Sequence, residues 1–438
     1  MERYKAYKDS GVEWIGEIPE GWRVAPLCSL CTISGGATPS KNRLDYWDGD
    51  IPWVSSQEVK SSHLCDTSLH ITREAVESCS TDVYPTGSVV VVVRSGILKH
   101  TLPAAIIDAP MSVNQDIKVL EFKCLTTANY FLQYVFGMND YLLRHLSKEG
   151  ATVDNLDVYL FSKCPVVFPS IEEQQAIADY LDAKTAEVDA LVADCEREVG
   201  LLREYRKAVI SEAVTKGLDP DAPMKDSGVE WIGEIPEGWE TARLDKVAVR
   251  KSGHTPDKKV PEYWDGDIVW ISLADSPVLR SNVYVKESAT MTTKAGIANS
   301  SAELLPAGAV LLSRDASVGL TAIAGVQLAV SQHFMAYICN SSLNNEFLRF
   351  VFLAMHQEFE RLSMGSTIPT IGLPLMRKLT IPYPSRHEQD TIVGYLHNKT
   401  AEIDSLIEAK QSMADKLREY RKSLISEAVT GKFKVPGV

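Results

Sequence analysis

Apolar residues recur every seven positions along two stretches of the chain, while the remainder carries short apolar runs separated by glycine and proline. The first stretch, 171–215, contains the series Leu181, Val188, Cys195, Leu202 and Val209. The second, 386–430, contains the series Leu396, Ile403, Lys410, Leu417 and Leu424. A heptad repeat sustained over about five heptads is typical of a helix that buries one stripe in a coiled coil. We therefore predict two long helices whose stripes bury each other.

The ends and the second stripe of these helices can also be predicted. Pro169 precedes Ser170, a candidate N-cap, and Glu173 stands at the capping-box position. The first helix is expected to end near Gly217, because glycine favours helix C-termini. Residues between the heptad positions are predicted to complete the buried stripe: Ile177, Lys184, Leu191, Glu198 and Tyr205 in the first helix, and Leu406, Met413 and Tyr420 in the second.

Two blocks outside these helices have mixed patterns. In residues 23–168, the runs SVVVVV (88–93) and AAII (104–107) are strand-like, and residues 126–146 show a helical apolar face. Residues 240–383 follow the same plan. The predicted fold class is α+β, with two mixed α/β domains joined by two long helices packed as an antiparallel coiled coil. An internal pseudo-two-fold repeat is expected.

The chain consists of two copies of one unit. The phrase KDSGVEWIGEIPEGW occurs unchanged at 8–22 and 225–239, and residues 179–215 match 394–430 at 20 of 37 positions. Glycine and proline in the phrase predict a linker, which its tryptophans hold against its domain. The predicted partition is a linker at 1–22, a globular domain at 23–168, a helix at 169–217, a linker at 218–239, a globular domain at 240–383, and a helix with a tail at 384–438.

The net charge of −13 over 438 residues at first disfavours a nucleic-acid partner. However, each copy of the phrase carries −3, residues 171–215 carry −6 and residues 386–430 carry −1. The rest of the chain is neutral, which leaves room for a basic face on the globular domains. There is no run of about 18 apolar residues to span a membrane, and the acidic start does not fit a secretory signal. We expect a cytoplasmic protein with no membrane partner.

Catalytic motifs are missing from the sequence, which contains no phosphate loop and no HExxH, GxSxG or strand-associated GxGxxG. Cys28 and Cys31 form a CxxC, but Asp245 and Ala248 stand at the matching positions of the second copy. A metal site required by the fold should occur in both copies, so we predict free, buried thiols and no metal. We also predict that the chain has no catalytic residues.

Polar residues of the kinds that bind DNA cluster in matching loops of the two globular domains. Arg, Lys, Asn and Gln read base edges, and Lys and Arg neutralise phosphates. Each residue alone also fits a solvated surface position, and Gln115 or Gln332 fits a satisfied polar residue at a strand end. Recurrence at matching positions favours binding, and we align Arg314 with Arg94 because each follows an apolar strand. The candidate DNA-contacting residues are Thr38, Lys41, Asn42, Arg43, Arg94, Lys99, His100, Asn114 and Gln115 in the first domain, and His254, Thr255, Lys258, Lys259, Arg314, Gln332 and His333 in the second.

Several motifs, each present twice, resemble the specificity (S) subunit of Type I restriction–modification systems, and this likeness spans nearly the whole chain. They are EIPEGW (17–22, 234–239), GGATPS (35–40) with SGHTPD (252–257), DIPWVS (50–55) with DIVWIS (267–272), KEGATV (148–153) with MGSTIP (364–369), and FPSIEEQQAIADYLD (168–182) with YPSRHEQDTIVGYLH (383–397).

The resemblance implies a non-catalytic subunit whose two globular domains are target-recognition domains, each reading one half of a bipartite site in double-stranded DNA. It implies that the long helices set the spacing of the half-sites and bind two methyltransferase (M) subunits, and that motor-nuclease (R) subunits join for restriction. S-adenosylmethionine, ATP and Mg are then expected in the partner subunits, with no cofactor in this chain. Two other interpretations stay open: an enzyme with a fused methyltransferase or nuclease activity, and a protein adaptor without affinity for DNA.

Overall fold

The computed structural model describes residues 2–79, 81–148, 153–363, 370–376 and 378–438. They form two compact units. The first comprises the chain up to Cys195 together with Ser412–Val438, and the second comprises Glu196–Gln411. Each unit combines one mixed α/β region with one segment of each long helix.

In the described part of the first unit, a five-stranded and a three-stranded sheet are accompanied by short strand pairs. The strands are β1 (Tyr7–Asp9), β2 (Glu17–Pro19), β3 (Arg23–Pro26), β4 (Cys31–Gly35), β5 (Trp47–Val54), β6 (His63–Leu64), β7 (His70–Ile71), β8 (Val89–Val92), β9 (Ala104–Ile107), β10 (Ser112–Val113), β11 (Ile117–Phe122), β12 (Ser147–Lys148), β13 (Asn155–Leu156) and β14 (Pro165–Phe168). The larger sheet has the order β4-β11-β8-β9-β6, in which only β6 and β9 pair in parallel. The smaller sheet has the order β10-β5-β7.

The helices of the first unit confirm the predicted helical stretch at 126–146. They are α1 (Leu27–Leu30), α2 (Arg73–Ser78), α3 (Ala128–Gly137), α4 (Asn139–Leu146), α5 (Val158–Lys163) and the long helix α6 (Ile171–Lys216). Thr127 caps α3, because its hydroxyl accepts a hydrogen bond from the Tyr130 N–H at 3.3 Å. The α3 and α4 helices meet at Met138, and their apolar faces lie in the core.

The valine run of β8 shows how the layers are arranged. Val89 and Val91 share a core with α3 and α4, whereas Val90 shares a second core with Val54 of β5 and Val113 of β10. Successive strand residues point to opposite faces, so a strand covered on both faces is apolar throughout. The five-stranded sheet of this unit therefore lies between a helical layer and the three-stranded sheet.

The second unit repeats this architecture. Its strands are β15 (Met224–Asp226), β16 (Glu234–Pro236), β17 (Glu240–Arg243), β18 (Ala248–Ser252), β19 (Trp264–Ile271), β20 (Tyr284–Val285), β21 (Met291–Thr292), β22 (Val310–Ser313), β23 (Thr321–Ala324), β24 (Leu328–Val330), β25 (Phe334–Cys339) and β26 (Thr380–Tyr383). Its helices are α7 (Leu244–Val247), α8 (Ser276–Ser281), α9 (Lys294–Ala298), α10 (Asn345–Ala354), α11 (His356–Leu362), α12 (Leu373–Met376) and the long helix α13 (Arg386–Val429). The sheets β18-β25-β22-β23-β20 and β21-β19-β24 keep the order of the equivalent strands.

Each long helix begins beside a buried glutamine that ties it to its α/β region. The Gln174 amide donates to the Leu125 and Pro169 carbonyls at 2.9 and 3.1 Å and accepts from the Thr127 N–H at 2.9 Å. Gln389 makes the matching three bonds, at 3.0, 2.9 and 2.8 Å, with Ser342, Pro384 and Asn344. Both side chains are fully buried, so all three bonds of each amide are needed to offset its loss of water.

The predicted capping box at α6 is only half correct. Ser170 does accept a hydrogen bond from the Glu173 N–H, at 3.3 Å. The Glu173 carboxylate, however, does not return to Ser170; it accepts from Trp22 Nε1 at 3.1 Å and from the Tyr4 hydroxyl at 2.6 Å. The glutamate thus connects the helix to the repeated phrase.

At α13 the equivalent glutamate, Glu388, bonds both to the residue that caps the helix and to the repeated phrase. Glu388 accepts from the Ser385 N–H at 3.1 Å and from Trp239 Nε1 at 3.0 Å. Burial on its own would raise the pKa of Glu388, but hydrogen bonds from Ser385 and Trp239 outweigh this effect and hold the pKa below its ordinary value.

The repeated phrase forms a hairpin rather than an unstructured linker. In the first copy β1 pairs with β2, and in the second β15 pairs with β16. The last tryptophan of each copy is buried, which confirms that the phrase is held against its unit. A Cβ on Gly431 would lie 2.4 Å from Pro19 Cδ, and one on Gly217 would lie 3.2 Å from Trp239 Cζ2. Each phrase therefore bridges the N-terminus of one long helix and the C-terminus of the other, which explains why its sequence is the same in both copies.

The long helices run antiparallel in each unit, as predicted. Asp189 pairs with Arg421 at 2.9 Å in the first unit. In the second, Arg206 pairs with Asp404 at 2.8 Å and Glu198 pairs with Lys410.

The heptad series is confirmed, and at the intervening positions Ile177 is buried as predicted, but the prediction is wrong for the other large residues. Leu181, Val188, Ile403 and Leu424 are buried, as expected. The predicted partners that are about half exposed are Leu191, Tyr205, Leu406, Met413 and Tyr420. Beyond Ile177, buried residues four positions after a heptad residue complete the stripe, among them Thr185, Val199, Ile407 and Ala414. A helix presents positions i and i+4 on one face in either direction, so the heptad spacing alone did not decide which side of the series faces the partner.

The cysteines are free, but the prediction that they are buried holds only in part. Cys31, Cys164 and Cys195 are buried, Cys79 and Cys339 are intermediate, and Cys28, Cys65 and Cys124 are exposed. Burial raises the pKa of the Cys31 thiol to about 12. In the described part of the chain, no helix combines the length and apolarity needed to cross a bilayer.

Candidate nucleic-acid interface

Two loops in each unit meet through a threonine–glutamine hydrogen bond. We call them the TP loop, residues 35–43 or 252–260, and the glutamine loop, residues 113–116 or 330–333. The Thr38 hydroxyl donates to Gln115 Oε1 at 2.6 Å, and the Thr255 hydroxyl donates to Gln332 Oε1. Both glutamines are exposed. The threonine therefore orients each amide, while part of each glutamine side chain stays open to solvent.

The close approach of the two loops requires glycine. A Cβ on Gly36 would lie 1.8 Å from the Val113 carbonyl oxygen, and one on Gly253 would lie 2.1 Å from the Ser331 carbonyl oxygen. Backbone atoms of a neighbouring strand end cannot yield as a flexible side chain can. This is the physical reason for the glycine before the TP dipeptide in both copies.

A pair of tryptophans holds each TP loop in place. Trp53 Nε1 donates to the Ala37 carbonyl at 3.1 Å and Trp47 Nε1 to the Ser40 carbonyl at 3.3 Å. The two rings meet edge to face, with centroids 5.3 Å apart. In the second unit the same bonds, at 3.3 and 3.2 Å, run from Trp270 to His254 and from Trp264 to Asp257.

A bulge in β5 and in β19 places these tryptophans. The pairing register shifts between Trp47 and Ile51 and again at the matching position in β19. Asp48 and Asp265 adopt φ values of 62° and 58°. Aspartate tolerates this left-handed conformation better than most residues, so the WDGD segment can form a bulge that re-aims the strand.

The structure gives the candidate residues of the first TP loop different environments. Lys41 and Asn42 are exposed. Arg43 donates to Asp45 at 2.5 Å and to Glu74 at 3.2 Å, and its guanidinium lies 4.3 Å from the Tyr46 ring centroid. The bond from Arg43 lowers the pKa of Asp45. Arg43 shares its charge with two carboxylates of its own unit but its side chain is 49% exposed, so its contact with DNA stays a prediction.

Asn114, which was also predicted to contact DNA, is buried. Its side chain is 5% exposed, and its amide oxygen accepts from the Asp116 N–H at 3.0 Å. The glutamine loop thus uses Asn114 to hold its own turn, while the next residue, Gln115, faces solvent. Sequence reasoning treated the two alike, because neighbouring polar residues give no signal of which side chain points inward.

Arg94, Lys99 and His100 are exposed, but they do not form one cluster with the glutamine loop. Arg94 follows Val93, whose N–H donates to the Asp116 carbonyl at 2.8 Å, so it lies beside the loop. Lys99 ends the short helical turn Gly96–Lys99, and His100 follows it. In the described residues no side-chain hydrogen bond or ion pair connects these two to the glutamine loop.

In the second unit the candidate residues surround an open cavity of about 570 Å³. Thr255 and Lys258 of the TP loop, Gln332 and His333 of the glutamine loop, and the supporting Trp270 line it. His254 and Lys259 are exposed on the same TP loop. The cavity presents a cation, an amide, an imidazole and an aromatic ring, which suits contact with a polar planar group.

The structure shows that Arg314 is not the equivalent of Arg94. The Arg314 N–H donates to the His333 carbonyl at 2.9 Å, as the Val93 N–H donates to the Asp116 carbonyl. The next residues form matching bridges, Arg94 with Asn155 and Asp315 with Thr370. The equivalent pairs are therefore Val93/Arg314, Arg94/Asp315 and Asp116/His333. The sequence alignment failed because the stretch from this strand to the glutamine loop is four residues longer in the first unit.

This register brings out two residues that sequence reasoning missed. Asp315 is buried, and its carboxylate lies 2.9 Å from His333 Nδ1 and 3.5 Å from Arg314 Nε. Asp116 takes the place of His333 in the first unit. The side chains beside the glutamine thus differ between the units. The available signal was that an acidic residue, Asp116, follows one glutamine and a histidine, His333, follows the other.

The KEGATV and MGSTIP motifs lie outside the described residues, apart from Lys148 and Val153. The other motifs quoted for the family resemblance fall on the elements above: the hairpins, the TP loops, the bulged strands and the starts of the long helices.

Comparisons with known proteins agree with this geometry. The model of the family "Type I restriction modification DNA specificity domain" matches residues 19–194 and 236–412. The Type I restriction enzyme MjaIX specificity subunit of Methanocaldococcus jannaschii is 30% identical over 437 residues, covering 96% of this chain and 95% of that protein. The EcoR124I/EcoR124II specificity subunit of Escherichia coli is 32% identical over 217 residues, which are 47% of this chain and 50% of that subunit.

Solved structures show the same fold. A chain described under "Structural basis underlying complex assembly and conformational transition of the type I R-M system" aligns with a TM-score of 0.74 at 16% identity, covering 94% of this chain and 98% of that one. The HsdS subunit from Thermoanaerobacter tengcongensis aligns with a TM-score of 0.57 at 17% identity, with the same coverage. The family model matches most of this chain, in two copies that each include one TP loop and one glutamine loop, and the chain therefore belongs to the Type I restriction modification DNA specificity family.

Proposed function

We propose that this chain reads a bipartite site in double-stranded DNA for a Type I restriction–modification complex in the cytoplasm, with one half-site for each unit. The observation that carries the proposal is the duplicated loop pair. The Thr38–Gln115 and Thr255–Gln332 contacts are the same, while the residues beside each glutamine differ in charge. A shared support with altered neighbours is what two readers of different sequences require.

The long helices provide a second line of support, because a surface patch on them occurs twice. In the first unit Leu191 and Tyr420 are 47% and 46% exposed, and Asp189 pairs with Arg421 at 2.9 Å. In the second unit the matching residues Leu406 and Tyr205 are 52% and 50% exposed, and Asp404 pairs with Arg206 at 2.8 Å. Nearby, Lys184 pairs with Glu187 at 2.7 Å and Lys399 pairs with Glu402 at 3.1 Å.

We call this repeated set the leucine–tyrosine patch. Exposed apolar residues rimmed by charges are typical of protein interfaces. Because both copies carry the same residue types, the patch fits two copies of one partner. We assign it to two methyltransferase subunits, and the acidic helices suit a protein partner better than DNA. Methyl transfer with S-adenosylmethionine, and restriction with ATP and Mg in motor-nuclease subunits, then belong to the partners. The helices themselves would set the spacing of the half-sites.

The DNA proposal is tested by selecting from a random duplex library with the complex of this chain and its methyltransferase subunit. We expect enrichment of two short motifs at a constant separation, and binding that weakens steeply as salt rises because several phosphates are contacted. Replacement of 23–168 by another recognition domain should change one motif only. Failure to enrich any split motif, or loss of both motifs after this replacement, would contradict independent reading. Methyl transfer by the chain alone would instead support the enzyme interpretation.

The patch is tested by counting bound methyltransferase subunits with native mass spectrometry. Leu191→Arg with Tyr420→Arg should reduce the complex from two subunits to one, and the matching pair Leu406→Arg with Tyr205→Arg should do the same. Leu201→Lys is the control, because Leu201 is 65% exposed and lysine already stands at the equivalent position, Lys416. Two bound subunits in both patch variants would exclude this surface as the docking site.

A further inference from the structure

A continuous chain of polar side chains in the second unit runs from the TP loop to the end of β22. The Thr255 hydroxyl donates to Gln332 Oε1, and Gln332 Nε2 lies 3.3 Å from His333 Nε2. His333 Nδ1 lies 2.9 Å from Asp315 Oδ2. Gln332 is exposed at one end of this chain, and Asp315 is 6% exposed at the other.

The proton positions along this chain follow from Asp315. An ionised carboxylate can only accept, so Nδ1 of His333 must carry a proton. In the neutral ring Nε2 then has none and accepts from the Gln332 amide nitrogen. The amide oxygen is thereby turned toward the Thr255 hydroxyl, which donates to it. Each group along this chain of side chains determines the orientation of the next, because the reverse orientation of the amide would place its oxygen against the unprotonated Nε2, and two acceptors would then meet.

We infer that Asp315 is a positioning residue for base recognition: through the His333 tautomer it fixes the orientation of the Gln332 amide. One amide N–H is used by His333, and the second remains for a ligand. Gln332 in this orientation offers a donor to an acceptor on a base edge, such as N7 or O6 of guanine or O4 of thymine. This inference rests on the proposed function, since it concerns how the second unit reads DNA.

The first unit provides an internal comparison for this inference. The Thr38–Gln115 bond is present at 2.6 Å, but Asp116 stands in place of His333 and Arg94 in place of Asp315. In the described residues no side-chain bond joins Gln115 to Asp116. The Gln115 amide is therefore oriented from one side only, and its preference for a base should depend on Thr38 but not on a residue at the position of Asp315.

The experiment uses Asp315→Asn in the full chain. An asparagine can present either its oxygen or its amide hydrogen to Nδ1, so both tautomers of His333 become allowed. Nitrogen-15 chemical shifts of labelled histidine should show the proton of His333 on Nδ1 in the parent chain and divided between both nitrogens in the variant. With the methyltransferase complex, the preference for one base pair of one half-site should fall about 10-fold, while the other half-site is unchanged.

Two further variants keep the test decisive. Thr255→Val removes the other anchor of the amide and should relax the same base position, even if Asp315→Asn does not fold. Asp116→Asn in the first unit is the control and should leave the preference of the second unit's half-site unchanged. An unaltered preference in both Asp315→Asn and Thr255→Val overturns this inference alone. If the parent complex selects no split motif, the proposed function fails instead, and the histidine shifts still report whether Asp315 sets the tautomer.

Discussion

The two units share the strand order of their two larger sheets and the contacts that support their loops, and they differ beside the exposed glutamine of each loop pair. Each has the same hairpin bound to a glutamate at a helix start, the same buried glutamine and the same tryptophan pair under the TP loop. Beside the exposed glutamine, however, the first unit has Arg94 and Asp116, whereas the second has Asp315 and His333. The same supporting contacts therefore hold the glutamine amide of each unit beside different charged or titratable side chains.

This contrast separates what the fold requires from what recognition requires. Gln174 and Gln389 are enclosed, and their bonds end on backbone groups that any target sequence would leave unchanged. Gln115 and Gln332 are exposed: Thr38 orients the first amide, and Thr255 and His333 orient the second, but part of each side chain stays open to solvent. A change in an enclosed glutamine should act on stability, and a change beside an open one should act on sequence preference.

The largest effect is expected from Gln174→Leu and from Gln389→Leu. Each removes three hydrogen bonds and leaves buried backbone groups without partners, which should lower the free energy of unfolding of its unit by about 2–4 kcal/mol. Urea denaturation followed by tryptophan fluorescence measures this loss. Gln175→Leu is the control, because Gln175 is exposed and its amide donates to Asp179 at the surface. If the substitution lowers the free energy of unfolding of one unit but not of the other, the two buried glutamines are not equivalent supports.

Gly36→Ala and Gly253→Ala should each disable one half-site. The added methyl group would lie about 2 Å from a backbone carbonyl oxygen, so the TP loop must move away from the glutamine loop. We expect about a 100-fold loss of affinity for the full site, because several base contacts of one half-site are displaced together. Gly21→Ala and Gly238→Ala are matched controls, since a Cβ there meets nothing within 4 Å. Unchanged affinity in the TP-loop variants would show that the loop pair does not read DNA.

Arg94→Gln and Arg314→Gln test the corrected alignment of the two units, in which Arg94 matches Asp315 and not Arg314. Arg94 is exposed at the end of its strand, whereas Arg314 is 20% exposed beside the Asp315 carboxylate. Arg94→Gln should reduce discrimination at one base pair by about 10- to 100-fold if it reads guanine, or weaken all sequences alike if it contacts a phosphate. Arg314→Gln should change affinity by less than about threefold. Competition binding with single-base variants of the selected site distinguishes these outcomes, and equal effects of both substitutions would restore the alignment of Arg94 with Arg314.

Much of the architecture could be predicted, because the sequence contains an internal repeat and its apolar residues recur at regular spacings. The heptad series, the helix at 126–146 and the apolar strand at 88–93 follow from side-chain spacing alone. Which residues complete the buried stripe could not be predicted. Leu191 and Val199 each lie four residues from Cys195, and the position of the partner helix determines which of the two is buried. The same limit applies to the site. Gln115 and Asn114 are adjacent polar residues, and which one faces inward depends on the turn that Asp116 closes. Asp315 was hidden because a four-residue difference in loop length displaced the alignment.

The smallest effect concerns Glu388, whose pKa is held below its ordinary value by hydrogen bonds from Ser385 and Trp239 that outweigh the effect of burial. A carboxyl with a depressed pKa in the folded state contributes stability above the pKa of the unfolded state, near 4.3, and loses this contribution as the pH falls through the folded value. Glu388→Gln should therefore lower the stability of the second unit by no more than about 1 kcal/mol at neutral pH, because solvent screening of this exposed carboxylate reduces the usual contribution of hydrogen bonds to a charged group. The difference from the parent chain should shrink as the pH falls below about 4. Urea denaturation at several pH values measures this difference, and Glu303→Gln is the control because Glu303 pairs only with Lys251 at the surface. A difference that stays constant with pH would mean that the Trp239 contact depends on shape and not on the charge of Glu388.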